Sequence, residues 1–447
     1  MSLQKTDPST VFYADRVGGR LEIIRATTPD QGRTWNRTPI STTSQFDNVR
    51  PVTVRSPNAS SPSVLWMNFQ RYVMYTDYRS SIRMAYLTDA TAPALTDTPA
   101  INPAEVLALA RTCADWQLAQ SSKVDPRDWE MAPFLLGLLE LSKISATTAY
   151  SDAVMQIGKT HAWAPVKTVF EANDHGAITA FAQLYEQTKD RDMIAPSLKR
   201  LDALLADPPP YPNDLKYRTG VPAARRVWSW CDALFFSPAA WLSAFHATGD
   251  ERYLRHMNSE WWRTSAAFYD DQEHLFARDD SYQTKREKNG QKIFWARGNG
   301  WVMGGLALVL PRLPQDFPER PRYETQFRQM AARLASLQQP DGTWHASLLD
   351  PDSTPLKETS GTAFFCYALA WGINHGLLDK TAYAPVVARA WTALAGCVTP
   401  AGKLTHVQVV ASGPEFPFTA NDTRAYGTGA FLLAAAEVHR LFTVSKN

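Results

Sequence analysis

Seven consecutive residues, Trp295-Ala296-Arg297-Gly298-Asn299-Gly300-Trp301, combine two indoles, a guanidinium, an amide and two glycines, and an apolar run from Val302 to Leu310 follows them. Indoles are flat apolar platforms. A guanidinium grips a planar carboxylate through two parallel hydrogen bonds, and glycines ahead of a helical pattern let the backbone approach a ligand closely. The set suits a carbohydrate that bears an acid group, with Trp295, Arg297, Asn299 and Trp301 as candidate binding residues. A helix start with core tryptophans is the competing role. Asp232 lies in Trp228-Ser229-Trp230-Cys231-Asp232-Ala233-Leu234-Phe235-Phe236. A carboxyl in that aromatic setting is partly desolvated, which disfavours its ionised form and makes it a usable proton donor near neutral pH. Trp230 is then a candidate wall of the same site. Asp174, in Asn173-Asp174-His175-Gly176, heads another helical pattern. For both acids a helix N-cap is the alternative, and Asn173 competes with Asp174 for it.

Three further motifs lie downstream: Asp341-Gly342-Thr343-Trp344, the run from Glu358-Thr359-Ser360-Gly361 to Phe365, and Tyr426-Gly427-Thr428-Gly429. In this order and at these separations the chain resembles glycoside hydrolase family 105, the unsaturated rhamnogalacturonyl hydrolases. It resembles family 88, the unsaturated glucuronyl hydrolases, more distantly. The resemblance covers roughly residues 100 to 445. It implies Asp232 as general acid/base, Asp174 as a second acidic position, and Arg297 as a carboxylate clamp held by Trp295 and Trp301. Trp344 and His345 would add a wall and a donor, although an ordinary hydrogen-bonded histidine is the alternative for His345. Glu358 would line the cleft unless it caps the helix that follows. One departure stands out. Many family members carry a histidine after a leucine-aromatic pair, and here Arg278 takes that place after Leu275-Phe276-Ala277. A fixed cation there would suit a different neighbouring sugar, a sulfated group or a second acidic group.

The resemblance also implies a reaction. A lyase first leaves a C4=C5 double bond in the terminal uronic acid of a chain. The hydrolase hydrates that enol ether: an acid protonates C4, water adds at C5 with help from the same or a neighbouring carboxylate, and the hemiketal opens and expels the saccharide. Nearby carboxylates stabilise the positive charge that develops at C5 and the ring oxygen. Such chemistry calls for no metal and no organic cofactor. Two alternatives stay open: a β-glucuronidase acting on saturated ends with Asp174 and Asp232 as its two carboxylates, and a non-catalytic saccharide-binding barrel.

The chain has 447 residues and a net charge of +2, with no block of Lys and Arg, so neither nucleic acid nor an anionic membrane is indicated as a partner. Fifteen Trp and sixteen Tyr fit a sugar-binding protein. Cys113, Cys231, Cys366 and Cys397 are widely spaced and read as reduced core residues. No apolar run reaches the ~18 residues of a membrane span. The expected partner is an acidic oligosaccharide, and the expected state a monomer or weak dimer. Met1 to Lys5 lack an apolar signal core. The resemblance points to a bacterial parent, periplasmic or secreted, with a cytoplasmic one as the alternative.

These residues need elements to hold them. Residues 1–92 read as strands: Val11–Tyr13, Leu21–Ile24, Val52–Val54, Val64–Met67, Tyr72–Tyr75 and Ile82–Tyr86 are short β-type runs. Between the second and third, Thr28-Pro29-Asp30-Gln31-Gly32-Arg33-Thr34-Trp35 resembles the Asp-box of sialidase-type (BNR) propeller repeats. Asp30 would accept backbone hydrogen bonds, Gly32 take positive φ and Trp35 pack between strands, all structural roles. These strands make about two blades, whereas a propeller closes with about four or more, so a partial propeller or a small sheet is expected. Residues 93–101 form a linker within a stretch rich in Thr, Ala and Pro. From 102 to 447 twelve helical patterns follow, near 103–120, 129–143, 148–160, 174–188, 194–206, 231–247, 251–270, 300–310, 322–338, 359–375, 382–396 and 427–442. Pro208-Pro209-Pro210 bars helix between two of them. Periodicity yields only many amphipathic helices; closure into an (α/α)6 barrel, a mainly α fold behind a small antiparallel β region, is what the resemblance implies. Every matched catalytic position lies beyond residue 170. A fragment that starts near Pro99 is therefore expected to keep its kcat once folded, with some loss of stability if Val64, Trp66, Tyr72 and Tyr75 bury an apolar face against the helices. A folded fragment with kcat down about tenfold or more would place a strand-region loop in the active cleft.

Overall fold

The computed structural model describes all residues except 1, 4–8, 18–19, 30–32, 42–43, 45, 54–62, 75–76, 86–99, 122–123, 167–170, 208–214, 217–227 and 444–447. The chain divides into two compact units, Met1–Asp97 and Thr98–Asn447.

The first unit holds two antiparallel sheets. β1 (Ser2–Leu3), β2 (Thr10–Val17), β3 (Arg20–Thr27) and β4 (Asn36–Pro39) form one in that order; β5 (Asp47–Thr53), β6 (Val64–Met74) and β7 (Asp77–Ala85) form the other. Two of the six runs, Val64–Met67 and Tyr72–Tyr75, fall on the single strand β6, apart from Tyr75, which lies outside the described residues. Phe12, Ile23, Val64 and Trp66 form a small core. Val64 and Trp66 thus contribute to the unit's own core. Glu22 is buried but accepts from the Ser44 amide at 2.7 Å, Ser44 Oγ at 2.7 Å and Asn48 Nδ2 at 2.8 Å. These bonds hold its carboxyl below the usual range although burial pushes the other way. The Asp-box segment joins β3 to β4. Asp30 and Gly32 lie outside the described residues, and Trp35 is 43% exposed, so it does not pack between strands as expected. Its neighbour Asn36 already pairs with Thr27 at the loop end of the β3–β4 hairpin, which leaves the indole in the connection beyond the sheet. The linker residues 93–99 and Pro208–Pro210 also lie outside the described residues.

The second unit is an (α/α)6 barrel. Its outer helices are α1 (Pro103–Leu118), α3 (Ala149–Thr160), α5 (Ala195–Ala206), α8 (Glu251–Phe268), α10 (Arg320–Leu337) and α12 (Lys380–Ala395). Its inner helices are α2 (Ala132–Ile144), α4 (Gly176–Thr188), α6 (Ala233–Phe236) with α7 (Pro238–Thr248), α9 (Ala296–Val309), α11 (Thr359–Asn374) and α13 (Ala425–Phe442). Outer helices bury one stripe, whereas α9, α11 and α13 are apolar almost all round. Each inner helix packs on the next, and α13 returns to α2, which closes the ring. Closed starts set the outer helices: Asn102 accepts from the Ala104 amide, Asp250 from Arg252 and Asp379 from Ala382.

Two boundaries differ from expectation. The pattern at 231–247 breaks at Ser237-Pro238, because proline cannot donate to the preceding turn. Helix α9 begins at Ala296 rather than 300, so Gly298 and Gly300 lie inside it. A Cβ at Gly300 would stand 3.0 Å from Phe364 Cβ, and one at Gly298 3.2 Å from Cys231 Sγ. Both glycines serve close helix packing, not close approach to a ligand. The same holds where the ring closes: a Cβ on Gly429 would lie 2.2 Å from the Phe134 nitrogen. Gly429→Ala is expected to cost about 1–3 kcal/mol or more by overpacking, read as a melting transition lowered by several degrees. An unchanged transition would show that α2 and α13 have slack.

Candidate active site

The segments that lead into the inner helices bond to one another and so gather at one end of the barrel. The Cys231 amide donates to the Arg278 carbonyl at 2.8 Å, Ala296 to Ala346 at 2.8 Å and Thr359 to His406 at 3.0 Å. Short hairpins stiffen this end: β8 (Tyr269–Asp270) with β9 (Leu275–Phe276), and β10 (Trp344–His345) with β11 (Lys357–Glu358).

Asp232 stands immediately before α6 and keeps part of its surface open. Its side chain makes no capping hydrogen bond, so the N-cap alternative does not account for it. Burial raises its pKa. Arg278 and Arg297, and the Cys231 thiol that donates to Oδ1 at 3.3 Å, oppose the rise without cancelling it. Asp174 is buried inside a single 3-10 turn, Ala172–His175, where Glu171 and His175 occupy the cap positions of that turn and of α4. Arg200 bears on it electrostatically. The segments that carry the two acids are cross-braced. Ser237, at the break that ends α6, has its Oγ 2.5 Å from His175 Nδ1 and donates to the Ala172 carbonyl at 3.3 Å. Burial pushes the His175 pKa down to about 3, which keeps the ring neutral.

Most of the expected binding residues turn inward. Arg297 is 1% exposed. Its Nη1 donates to the Gln408 carbonyl at 2.7 Å and its Nη2 to the Val409 carbonyl at 2.9 Å. Its guanidinium lies over Trp295, at 4.4 Å, and Tyr426, at 4.9 Å; Trp301 is not its support. The clamp assigned to Arg297 is therefore spent on a loop. Asn299 is buried, accepting from the Phe276 amide and donating to the Phe276 and Trp295 carbonyls. Trp301 packs among Phe235, Phe236, Phe364 and Tyr426. Trp344 is buried with its indole N–H on the Leu334 carbonyl, and Trp230 is buried as well, so none of these indoles presents an open platform. Glu358 takes its helix-capping role: it is buried and accepts from Ser360 N at 2.9 Å, Gly361 N at 2.7 Å and Gln408 N at 3.2 Å. His345 is half-buried, and its Nδ1 lies 3.0 Å from the Pro351 carbonyl oxygen, the ordinary alternative. Arg278 is buried and ion-paired with Asp279, so its guanidinium is engaged within the protein rather than offered to a neighbouring sugar.

Residues not singled out from the sequence complete the mouth. Gln408 is a buried hub. Beyond the bonds above, its carbonyl accepts from Tyr426 Oη at 2.6 Å and its Oε1 from the Trp295 indole at 2.7 Å. Asp128-Trp129-Glu130 leads into α2 with every residue partly exposed. Trp129 stacks on Tyr426 at 5.7 Å and meets Phe236 edge-on at 6.0 Å. It keeps surface at this mouth for a sugar ring. Its acid-indole-acid pattern before a helix repeats the logic of Trp230-Cys231-Asp232 and was a readable signal; Gln408, in an irregular loop, left none. Burial raises the pKa of both Asp128 and Glu130.

Residues 108–442 match the family model of Glycosyl Hydrolase Family 88. The chain belongs to that family, one of the two neighbouring families its motifs resemble, and is a glycoside hydrolase. It is 35% identical over 354 residues to an unsaturated 3S-rhamnoglycuronyl hydrolase of Formosa agariphila, covering 76% of this chain and 92% of that one. A family 88 glycosyl hydrolase from Bacteroides vulgatus superposes with a TM-score of 0.68 at 28% identity, over 76% of this chain and all (100%) of that one. A chain described as a polysaccharide lyase does so with a TM-score of 0.68 at 30% identity, over 77% and 99%.

Ser237→Ala leaves His175 Nδ1 without its buried partner. It is expected to cost about 1–3 kcal/mol of stability and to lower kcat, with Ser237→Thr restoring both. Unchanged kcat in Ser237→Ala, measured where the variant is fully folded, would show that the brace supports the fold alone.

Proposed function

We propose that the chain removes a terminal 4,5-unsaturated uronic acid from lyase-generated oligosaccharides by hydrating the C4=C5 bond. The observation that carries this reading is Asp232: a carboxyl at the gathered end of the inner helices, spent on no cap, with its proton held above the ordinary carboxylate range by burial. The name of the Formosa relative supports it. Asp232 delivers its proton to C4. Water adds at C5, deprotonated by Asp232 or by Asp174; the resulting hemiketal opens at the C5–ring oxygen bond to a ketone, which leaves C1 as a hemiacetal, and that hemiacetal collapses to an aldehyde and releases the remaining saccharide as an alcohol. Asp174 helps to stabilise the positive charge that develops at C5 and the ring oxygen, and the Ser237–His175 brace ties together the segments that carry the two acids. Trp129 supplies the face on which the sugar stacks. Catalysis resides in the unit that carries these residues.

The direct test follows the ultraviolet absorbance of the conjugated double bond. Hydration removes it as saccharide is released. A polysaccharide lyase would create it, and a saturated-end glucuronidase would leave it untouched; either result overturns the proposal. Asp232→Asn is expected to lose turnover by ~10²–10⁴-fold or more, since an amide cannot protonate carbon. Its stability carries a second expectation. The folded pKa of Asp232 lies above the unfolded one, so the group's contribution to stability is present below the ordinary carboxylate range and is lost as pH rises through the raised value. At neutral pH the wild type bears a desolvation penalty that the amide removes, and Asp232→Asn should melt no lower than wild type. Near wild-type activity in the variant would end the assignment.

A further inference from the structure

With Arg297 turned inward, a uronate entering the mouth needs another cation, and Arg424 is placed to be it. Arg424 precedes the first residue of α13, and 44% of its side chain is exposed. Its Nε stands 4.0 Å from Glu130 Oε2, beyond hydrogen-bond length, so the pair is loose. Its surroundings are tied together. Two residues on, Tyr426 donates to the Gln408 carbonyl and stacks on Trp129, and Trp129 is the neighbour of Glu130. Arg297 acts electrostatically on both Glu130 and Asp232, which places the Glu130–Arg424 pair in the same charged mouth as the candidate acid.

We propose that Arg424 is the residue that reads the acid group of the substrate: the uronate carboxylate takes the place of Glu130 against the Arg424 guanidinium, with the sugar face on Trp129. This rests on the function proposed above. The physical case is one of exchange. A 4.0 Å pair forgoes the two parallel hydrogen bonds that a guanidinium makes with a well-placed carboxylate, so a mobile carboxylate with free geometry outcompetes a side chain tethered to α2. Glu130 then has a selective role. It keeps Arg424 neutralised in the empty site and so disfavours neutral sugars, which cannot replace it. Glu130→Gln is expected to loosen that discrimination while leaving Arg424 in place.

The test uses the full chain in the catalytically silent Asp232→Asn background and measures binding of an unsaturated uronyl disaccharide and of its methyl ester by calorimetry. Arg424→Gln is expected to weaken binding of the acid about tenfold or more and to leave the neutral ester within about twofold. Arg424→Lys should fall between, because a point charge cannot form the paired bonds. Equal weakening of acid and ester, or no weakening of either, overturns the proposal. Wild-type absorbance loss, measured in parallel, separates the two claims. If the double bond is consumed but binding ignores Arg424, the inference fails and the function stands. If the double bond is untouched while the acid alone depends on Arg424, the function fails and the anion site stands.

Discussion

The barrel depends on one close approach. Helices α2 and α13 come from opposite ends of the second unit, and the ring closes only because glycine faces backbone where they meet: a Cβ on Gly137 would lie 2.8 Å from the Gly429 carbonyl oxygen. Arg440 on α13 donates to Glu140 on α2 at 2.7 Å and reinforces the seam. Burying six inner helices side by side removes their flanks from water, so whatever they present to solvent is presented at their ends. Their N-termini, with their partial positive charge, face one mouth. The short lead-in segments must then carry both the scaffold and the chemistry.

Two kinds of polar residue occupy that mouth, and burial separates them. Gln408, Asn299, Glu358 and Arg297 are fully enclosed, with their donors and acceptors engaged on backbone. They lock the entries of α9, α11 and α13 together. Asp232, Glu130 and Arg424 keep surface and make few such bonds. At Asp232 the competition can be ranked: burial outweighs the Arg278 and Arg297 charges and the Cys231 thiol, and the pKa is raised. That is the direction a carbon-protonating acid needs, and it is set by burial more than by any charged partner.

The sequence was informative about elements and about one acid, for a physical reason. Amphipathic and wholly apolar periods report burial directly, so the expected helical segments lie close to the observed ones, and the miss at Ser237-Pro238 is a local proline effect. Asp232 was legible because its neighbours are contiguous in the chain. The binding set was misread because residue type does not reveal which way a donor points. A guanidinium between two indoles looks the same on paper whether it faces a ligand or the Gln408 and Val409 carbonyls, and those acceptors lie more than a hundred positions away. Arg424 was missed for the same reason: it meets Glu130 only through closure of α13 on α2.

The central claim is that a proton from Asp232 goes to C4 while the ring's double bond is hydrated. Nuclear magnetic resonance of the reaction in deuterium oxide tests it most directly, with spectra taken before the released keto acid exchanges its own hydrogens. Deuterium on a single face of C4 in the first product formed is the result this account predicts. Release of a uronic acid whose C4=C5 bond is intact, or a product with only protium at C4 in those first spectra, would contradict it.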